Sequence, residues 1–284
     1  MNQYNLTIKQ LFIYPVKSLA GIEVVDWPAL NTGLKWDRQF MLIDEKGMFV
    51  TQRQLPDMVL IRPSIEDDEL TFSYGNEQSI TMPLSAEQKN SADIDARIWK
   101  DTCQTFEPEP SVSQWFTGIL QRKVTLVALS KKRPQSSPER FGENTTTLFA
   151  DAAPYLVINQ KSLLALNDSL SHKALSSVDI RRFRPNIVVD GDMTAFDEHH
   201  YNKLLTENYS IELIDHCQRC IITTIDPDTG IKDPKLEPFK TVAEINPMPQ
   251  NAKSPAFGVN ATVTSRQENG VKLKVGDKLV AQTD

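Results

Sequence analysis

Apolar and polar residues alternate over short runs through most of the first half of the chain. Residues 6–14, LTIKQLFIY, form one such run and stop at Pro15, which predicts a strand. Residues 38–43 alternate, Asp44-Glu45-Lys46-Gly47 supplies a turn, and 48–52 returns, the pattern of a hairpin. Leu70, Phe72 and Tyr74 mark a further strand, with 80–84 as its expected partner. After Pro110 the period changes. Val112, Trp115, Phe116 and Ile119 fall at i, i+3, i+4 and i+7, one face of a helix. Residues 124–129 return to strand character.

Residues 131–147 are polar and contain Pro134 and Pro138, so a long exposed loop or seam is expected. Beyond it, 155–158 reads as a strand, 161–170 as a short helix, and 186–189 and 210–214 as strands. Val259, Ala261 and Val263 alternate, Asn269-Gly270 follows, and Val271, Leu273 and Val275 alternate again. Asn-Gly between alternating runs is the strongest short-range hairpin signal. Many short strands and few helices predict a mainly β (α+β) chain built of barrels or sandwiches.

At 284 residues the chain is long enough for one large domain or two small ones. A net charge of -6 argues against non-specific nucleic-acid binding, which needs a basic surface, but leaves room for a local basic pocket. Cys103, Cys217 and Cys220 are too few for a disulfide framework or a four-thiolate iron–sulfur cluster. The N-terminus shows no secretory leader, and no run of about 18 apolar residues occurs. The expectation is a soluble cytoplasmic protein without a membrane partner. GxGxxG, Walker A, GxSxG and HExxH sequences are all absent.

Four constellations remain. His216-Cys217-Gln218-Arg219-Cys220 places two thiols three apart. Zinc would need two more ligands and no second CxxC exists; a thioredoxin-like pair would need a βαβ setting. Two small buried hydrophobes, or a thiolate for a soft metal favoured by the neighbouring Arg219, are the readings left open. Arg181, Arg182 and Arg184 crowd one segment and could grip a phosphate or form a solvated charge run. Pro185 biases Arg184 toward an extended backbone. Lys17 and Ser18 follow the first strand, with Asp37-Arg38 some twenty residues on, where donors could meet an anion or simply make a turn. Asp151, before the 155–158 strand, could accept from a heterocycle's N–H groups or cap a turn.

Taken in order, YPVKS, WDRQFMLID, FADAAPYLVIN, RFRPNIVV, CQRCIITTIDPDTG, SPAFGVNATV and a terminal VGD resemble the MOSC-domain family. The chain is similar to those members that carry an N-terminal β-barrel extension, the mitochondrial amidoxime-reducing component and its bacterial relatives. The resemblance implies an N-terminal MOSC β-barrel domain over 1–123 and a MOSC β-barrel domain with a few short helices over 124–284. It also implies a molybdenum cofactor, a pyranopterin dithiolene with a terminal phosphate. Cys220 matches the metal ligand and catalytic position, whereas Cys217 matches a non-ligand cysteine. Lys17, Ser18, Arg38, Asp151, Arg184 and Asn186 match cofactor-contacting positions. Gln218 stands where close relatives have a Ser that contacts the cofactor, and Ala152 where relatives can have a hydroxyl residue. The 196–201 stretch, FDEHHY, also departs from the family pattern.

The activity so implied is reduction of N-hydroxylated compounds such as amidoximes, hydroxamic acids and hydroxylaminopurines. The alternative is a non-catalytic cofactor carrier or sulfur-transfer protein, since MOSC domains also resemble the C-terminal part of molybdenum-cofactor sulfurases. No pyridoxal-phosphate domain is present, so a complete sulfurase is not expected. The chain stops at Asp284 without the Cys-rich ferredoxin motif of some relatives. Electrons are therefore expected from a separate donor of ferredoxin, flavodoxin or cytochrome b5 type and its reductase.

Overall fold

A computed structural model describes residues 4–85, 92–131, 133, 137–142, 145–267 and 270–283. The chain is mainly β, with four α-helices among the described residues. Seven strands close a barrel in the order Tyr155–Asn159, Ile187–Gly191, Asn5–Ile13, Lys278–Gln282, Lys203–Leu205, Tyr209–Gln218 and Asn251–Ser265, the last pairing back onto the first. Closure removes the exposed sheet edges.

The first strand shows how the sequence sets this register. Leu6, Ile8, Leu11 and Ile13 all reach the barrel core, although their spacing breaks strict alternation. A bulge restores the parity: Ile8 pairs with Val189 but Gln10 with the adjacent Val188, so one extra residue sits on this strand. Tyr155–Asn159 is buried throughout because both of its faces are covered. One face fills the barrel, and the other packs Leu156 and Ile158 with Leu163, Leu166 and Leu170 of the helix Gln160–His172. That helix connects two parallel strands, Tyr155–Asn159 and Ile187–Gly191.

Apart from the short strands between residues 22 and 34, the other strands up to Leu129 form a second body. Phe40–Ile43, Thr125–Leu129, Asp101–Phe106 and Ile94–Ile98 make a four-stranded sheet, and Arg62–Glu66, Glu69–Tyr74 and Gln78–Pro83 a three-stranded one. The helix Pro110–Leu120 drives Val112, Phe116 and Leu120 into their common core, beside Phe40, Leu70, Phe72 and Leu126. Phe72 and Phe116 meet edge to face, 4.9 Å between centroids.

Two expected pairings differ. The 48–52 return after the 44–47 turn makes only single bridges, Ile43 to Phe49 and Met48 to Arg97, before the chain turns away at 52–54. Asn269, which anchors the expected Asn-Gly hairpin, lies outside the described residues. The strands on either side of it do not pair. Asn251–Ser265 stays with Tyr209–Gln218, while Val271–Lys274 pairs with Asp26–Leu30, whose edge is free to accept it. Part of the expected 131–147 loop is a short helix, Pro138–Phe141. No helix among the described residues is long and apolar enough to cross a membrane.

Candidate functional site

Four segments far apart in sequence converge on one cleft of about 560 Å³. Its lining includes all eight residues singled out from the sequence: Lys17, Ser18, Arg38, Asp151, Arg184, Asn186, Gln218 and Cys220. Six cations line it against two carboxylates (Lys17, Arg38, Arg53, Arg140, Arg184 and Arg219; Asp151 and Asp215), a positive basin in a chain of net charge -6.

The first strand ends at Ile13, and the chain turns so that Lys17 and Ser18 are buried at its mouth. Lys17 Nζ donates to the Phe149 carbonyl at 2.8 Å and to Asp151 Oδ1 at 2.7 Å. Burial pushes the Lys17 ammonium's pKa down, and Asp151 pulls against that shift. The surrounding protein opposes ionisation of Asp151. Lys17, and the Trp99 indole N–H donating to the same Oδ1 at 2.8 Å, outweigh it and hold the carboxyl well below the usual range. Both donors use Oδ1, so Oδ2 is left to accept from a ligand.

Tyr14 is the hub of the cationic end. The Arg38 guanidinium lies 4.4 Å and the Arg184 guanidinium 4.2 Å from its ring centroid. Burial pushes the Tyr14 hydroxyl's pKa up despite these two cations. Arg38 pairs with buried Asp37 and donates to Asn186 Oδ1 at 3.2 Å, and Asp37 also accepts from the Tyr14 N–H at 2.8 Å. Arg184 donates to the Leu19 carbonyl at 2.6 Å, and burial lowers its pKa to about 10. Among the described residues Arg184 has no carboxylate of its own. Asn186 is a structural joint as well, accepting from Leu156 N–H and donating to the Phe12 carbonyl.

Ser18, Arg38 and Arg184 all have positive φ, +68°, +49° and +54°. Such a conformation costs a non-glycine residue roughly 1–2 kcal/mol and persists where the surroundings fix it. The expected extended backbone at Arg184 is therefore corrected. Pro185 does steer it out of the right-handed helix, but Arg184 caps the turn Ile180–Phe183 in the left-handed region, its N–H bonded to the Arg181 carbonyl at 3.1 Å.

The thiol segment enters from the other side. Two bulges bracket the end of Tyr209–Gln218, one between Leu213 and Asp215 and one opposite Ala256 to Val259. They re-aim the strand end, so that Asp215 to Cys220 line the cleft. Cys220 is exposed, and its Sγ lies 3.9 Å from Arg53 Nη1. Cys217 is half-buried and accepts from Arg219 Nη1 at 2.9 Å, while Arg219 Nη2 donates to the Phe183 carbonyl at 2.6 Å. The Arg219 Nε is buried without a partner. Gln218 is exposed and bonds Ser254 at 3.2 Å. Arg181 and Arg182 turn away to Asp179 and Asp228, and to Asp226.

Sequence reasoning missed Arg53, Arg140 and Asp215. Arg53 sits in a polar stretch, TQRQ, that carries no pattern. Arg140 belongs to a segment expected to be loop, and it clamps Asp215. Among the described residues no group of three or more His, Cys, Asp or Glu side chains is placed to hold a metal ion. Cys220 is the exposed thiol of the cleft and Cys217 the half-buried one, so a metal there would need further ligands from a non-protein group.

Comparison with known proteins matches residues 5–123 to the MOSC N-terminal beta barrel domain and 144–280 to the MOSC domain. Mitochondrial amidoxime-reducing component 1 of Mus musculus is 33% identical across 95% of this chain and 81% of that protein. Mitochondrial amidoxime reducing component 2 of Bos taurus is 34% identical across 95% and 82%. Molybdenum cofactor sulfurase of Bos taurus is 28% identical across 91% of this chain but only 30% of that protein.

Proposed function

We propose that this chain, which belongs to the family of MOSC-domain proteins with an N-terminal MOSC β-barrel, is a molybdenum-cofactor-dependent reductase of small N-hydroxylated compounds. The observation that carries this reading is a single exposed thiol, Cys220, at the edge of a cleft lined by six cations. The amidoxime-reducing names of its relatives support this substrate class.

The residues fit such a group. Two guanidiniums flank Tyr14, Asp37 is the only carboxylate bonded to either among the described residues, and Arg219 keeps a buried N–H without a partner. Arg38, Arg184 and Lys17 would hold the phosphate and neighbouring polar atoms, in the charge-assisted geometry that favours anions. Asp151 Oδ2 would accept from pterin N–H groups, and Cys220 would ligate the metal as a thiolate. When bound, the cofactor supplies the two-electron redox couple. The chain's own residues would place and insulate it: Lys17, Arg38 and Arg184 would bind its anionic end, and the buried Tyr14 and Phe183 would exclude water.

Reduction of the N–O bond consumes two electrons and two protons and releases water and the N–H compound, an amidine from an amidoxime, an amide from a hydroxamic acid or an amine from a hydroxylaminopurine. The electrons come from a separate protein of ferredoxin, flavodoxin or cytochrome b5 type, kept reduced by its own reductase. The test is turnover of benzamidoxime by the loaded protein. Reduced viologen supports it, and NADH without a partner does not. A carrier or sulfur-transfer role is the second reading, favoured by the sulfurase likeness. A protein that retains molybdenum but turns over no N-hydroxylated compound would select it.

A further inference from the structure

Beyond orienting Asp151 and adding one positive charge, the rim of the cleft beside Cys220 has no task in cofactor binding. Trp99 sits at the turn between strands Ile94–Ile98 and Asp101–Phe106 and is 54% exposed. Its backbone is left-handed at φ +53°. Its indole N–H is fixed on Asp151, and its ring lies 5.1 Å from that of Phe49. The Arg53 guanidinium lies 4.7 Å from the Trp99 ring centroid and, through Nη1, 3.9 Å from Cys220 Sγ. The hairpin is tied down again just past its turn. Arg133 is buried and donates to Asp101 at 2.6 Å and to the Ala150 carbonyl at 3.0 Å.

A large aromatic left half in water is ordinary on a floppy loop. Here a hydrogen bond, a cation stack and a clamped hairpin hold it rigid beside the thiol. Preorganised aromatic surface next to a planar, fork-shaped donor is suited to a planar ligand that carries an oxygen. Among the described residues Arg53 has no ion-pair partner, so its donors remain available.

Resting on the reductase reading, we propose that Trp99 and Arg53 are specificity-determining residues for the substrate. The exposed indole surface stacks the ring of an aromatic N-hydroxylated compound. Arg53 donates to the oxygen on its nitrogen and so holds that oxygen beside Cys220. The preference that follows is for aromatic over small aliphatic substrates.

The test compares benzhydroxamic with acetohydroxamic acid on the oxidised, cofactor-loaded protein without reductant, so that binding is read by calorimetry. The parent binds the aromatic acid more tightly. Compared at equal pterin content, because Trp99 also holds Asp151, Trp99→Ala raises its Kd about three- to tenfold and shifts that of the aliphatic acid far less. Trp99→Phe, which keeps a stacking ring, restores most of the difference. Arg53→Gln weakens both acids by about tenfold or more, the loss of a charged hydrogen bond. With reduced viologen, the Trp99→Ala effect falls on KM for the aromatic substrate and not on kcat.

Equal weakening of both acids by Trp99→Ala, or an unchanged ratio, overturns the proposal. If Trp99→Ala does not fold, Trp99→Leu decides the same question, since it keeps apolar bulk without a ring. Failure of the two readings is separable. A protein that binds both acids with the expected ratio but reduces neither loses the reductase reading and keeps this rim. A protein that reduces both with a ratio indifferent to Trp99 loses the rim alone.

Discussion

Replacing Arg184 by Ala is expected to empty the cleft while leaving the fold in place. The guanidinium carries five N–H donors, and among the described residues one bond is made, to the Leu19 carbonyl. The donors that remain lie at the cleft wall, where losing a charge-assisted contact costs roughly 1.5–3 kcal/mol, or about one to two powers of ten in affinity. The cost to the empty fold is far smaller. Burial holds this guanidinium at about 10, well below its usual value, which corresponds to roughly 3 kcal/mol at about 1.4 per pH unit. Arg184 is open to water on the cleft side, so about half of that survives screening, on the order of 1–2 kcal/mol. Relief of that penalty offsets the lost bond to Leu19, about 1 kcal/mol. The empty variant should therefore melt within a few degrees of the parent. Arg181→Ala is the control, because Arg181 is spent on Asp179 and Asp228 at the surface. The assay is pterin content after dialysis, with calorimetric melting of protein from a cofactor-deficient host. If Arg181→Ala empties the site while Arg184→Ala stays loaded, the assignment of Arg184 to the anion is refuted. A large drop in the empty variant's melting temperature would make Arg184 a structural pillar instead.

Cys220→Ser should abolish molybdenum retention, since a hydroxyl is a poor substitute for a thiolate, whereas Cys217→Ser should keep much of it; equal loss in elemental analysis of both would remove the assignment. Glu198 is buried on Ser162, and its carboxyl is pushed up to about 7, burial being the main cause. A carboxyl with a raised pKa stabilises the fold in its neutral form, so stability is fully present below about 4.5 and is lost as pH rises to about 7. The loss is roughly 3 kcal/mol. Glu198→Gln should flatten that slope in denaturant titrations at pH 5 and pH 8, and an equal slope in both proteins would show that Glu198 does not carry it. Gly258 has φ +77°, and a Cβ there would stand 2.7 Å from Ile158 Cγ1 and from the Val157 carbonyl. Gly258→Ala should cost roughly 2–4 kcal/mol by urea unfolding, against about 1 for Gly75→Ala, whose φ is also positive but whose surroundings are open.

Periodicity made the barrel legible where one face is buried. The 110–120 helix and the 259–263 alternation follow from side chains that meet a core on a fixed period, and the 6–14 run does so on either side of its bulge. It failed where pairing is decided by tertiary neighbours. Ile94–Ile98 and Asp101–Phe106 bury Ala96, Cys103 and Thr105 beside Ile98 and Phe106, so small or polar residues fill most of their buried positions and the signal is too weak to read. Val271–Lys274 has the pattern of half a hairpin, yet its partner lies near the other end of the chain at Asp26–Leu30, a choice local chemistry does not encode. Motif runs located the site residues that sit at strand ends, Lys17, Asp151, Arg184 and Cys220. Arg53 and Trp99 reach the same place from the second body of strands, and nothing in their neighbours' spacing announces it. The left-handed backbone at Ser18, Arg38 and Arg184 was equally silent, because it is imposed by the contacts around each residue and not by the residue type.

The most direct measurement is the molybdenum and pterin content of the purified chain, taken from a cofactor-competent host and from one unable to make the cofactor. Molybdenum and pterin are expected in equal amounts, close to one of each per chain, from the first host and neither from the second. Cys220→Ser is expected to lose both. A parent protein that emerges from the competent host folded, with neither metal nor pterin, would contradict the assignment of this cleft to the cofactor.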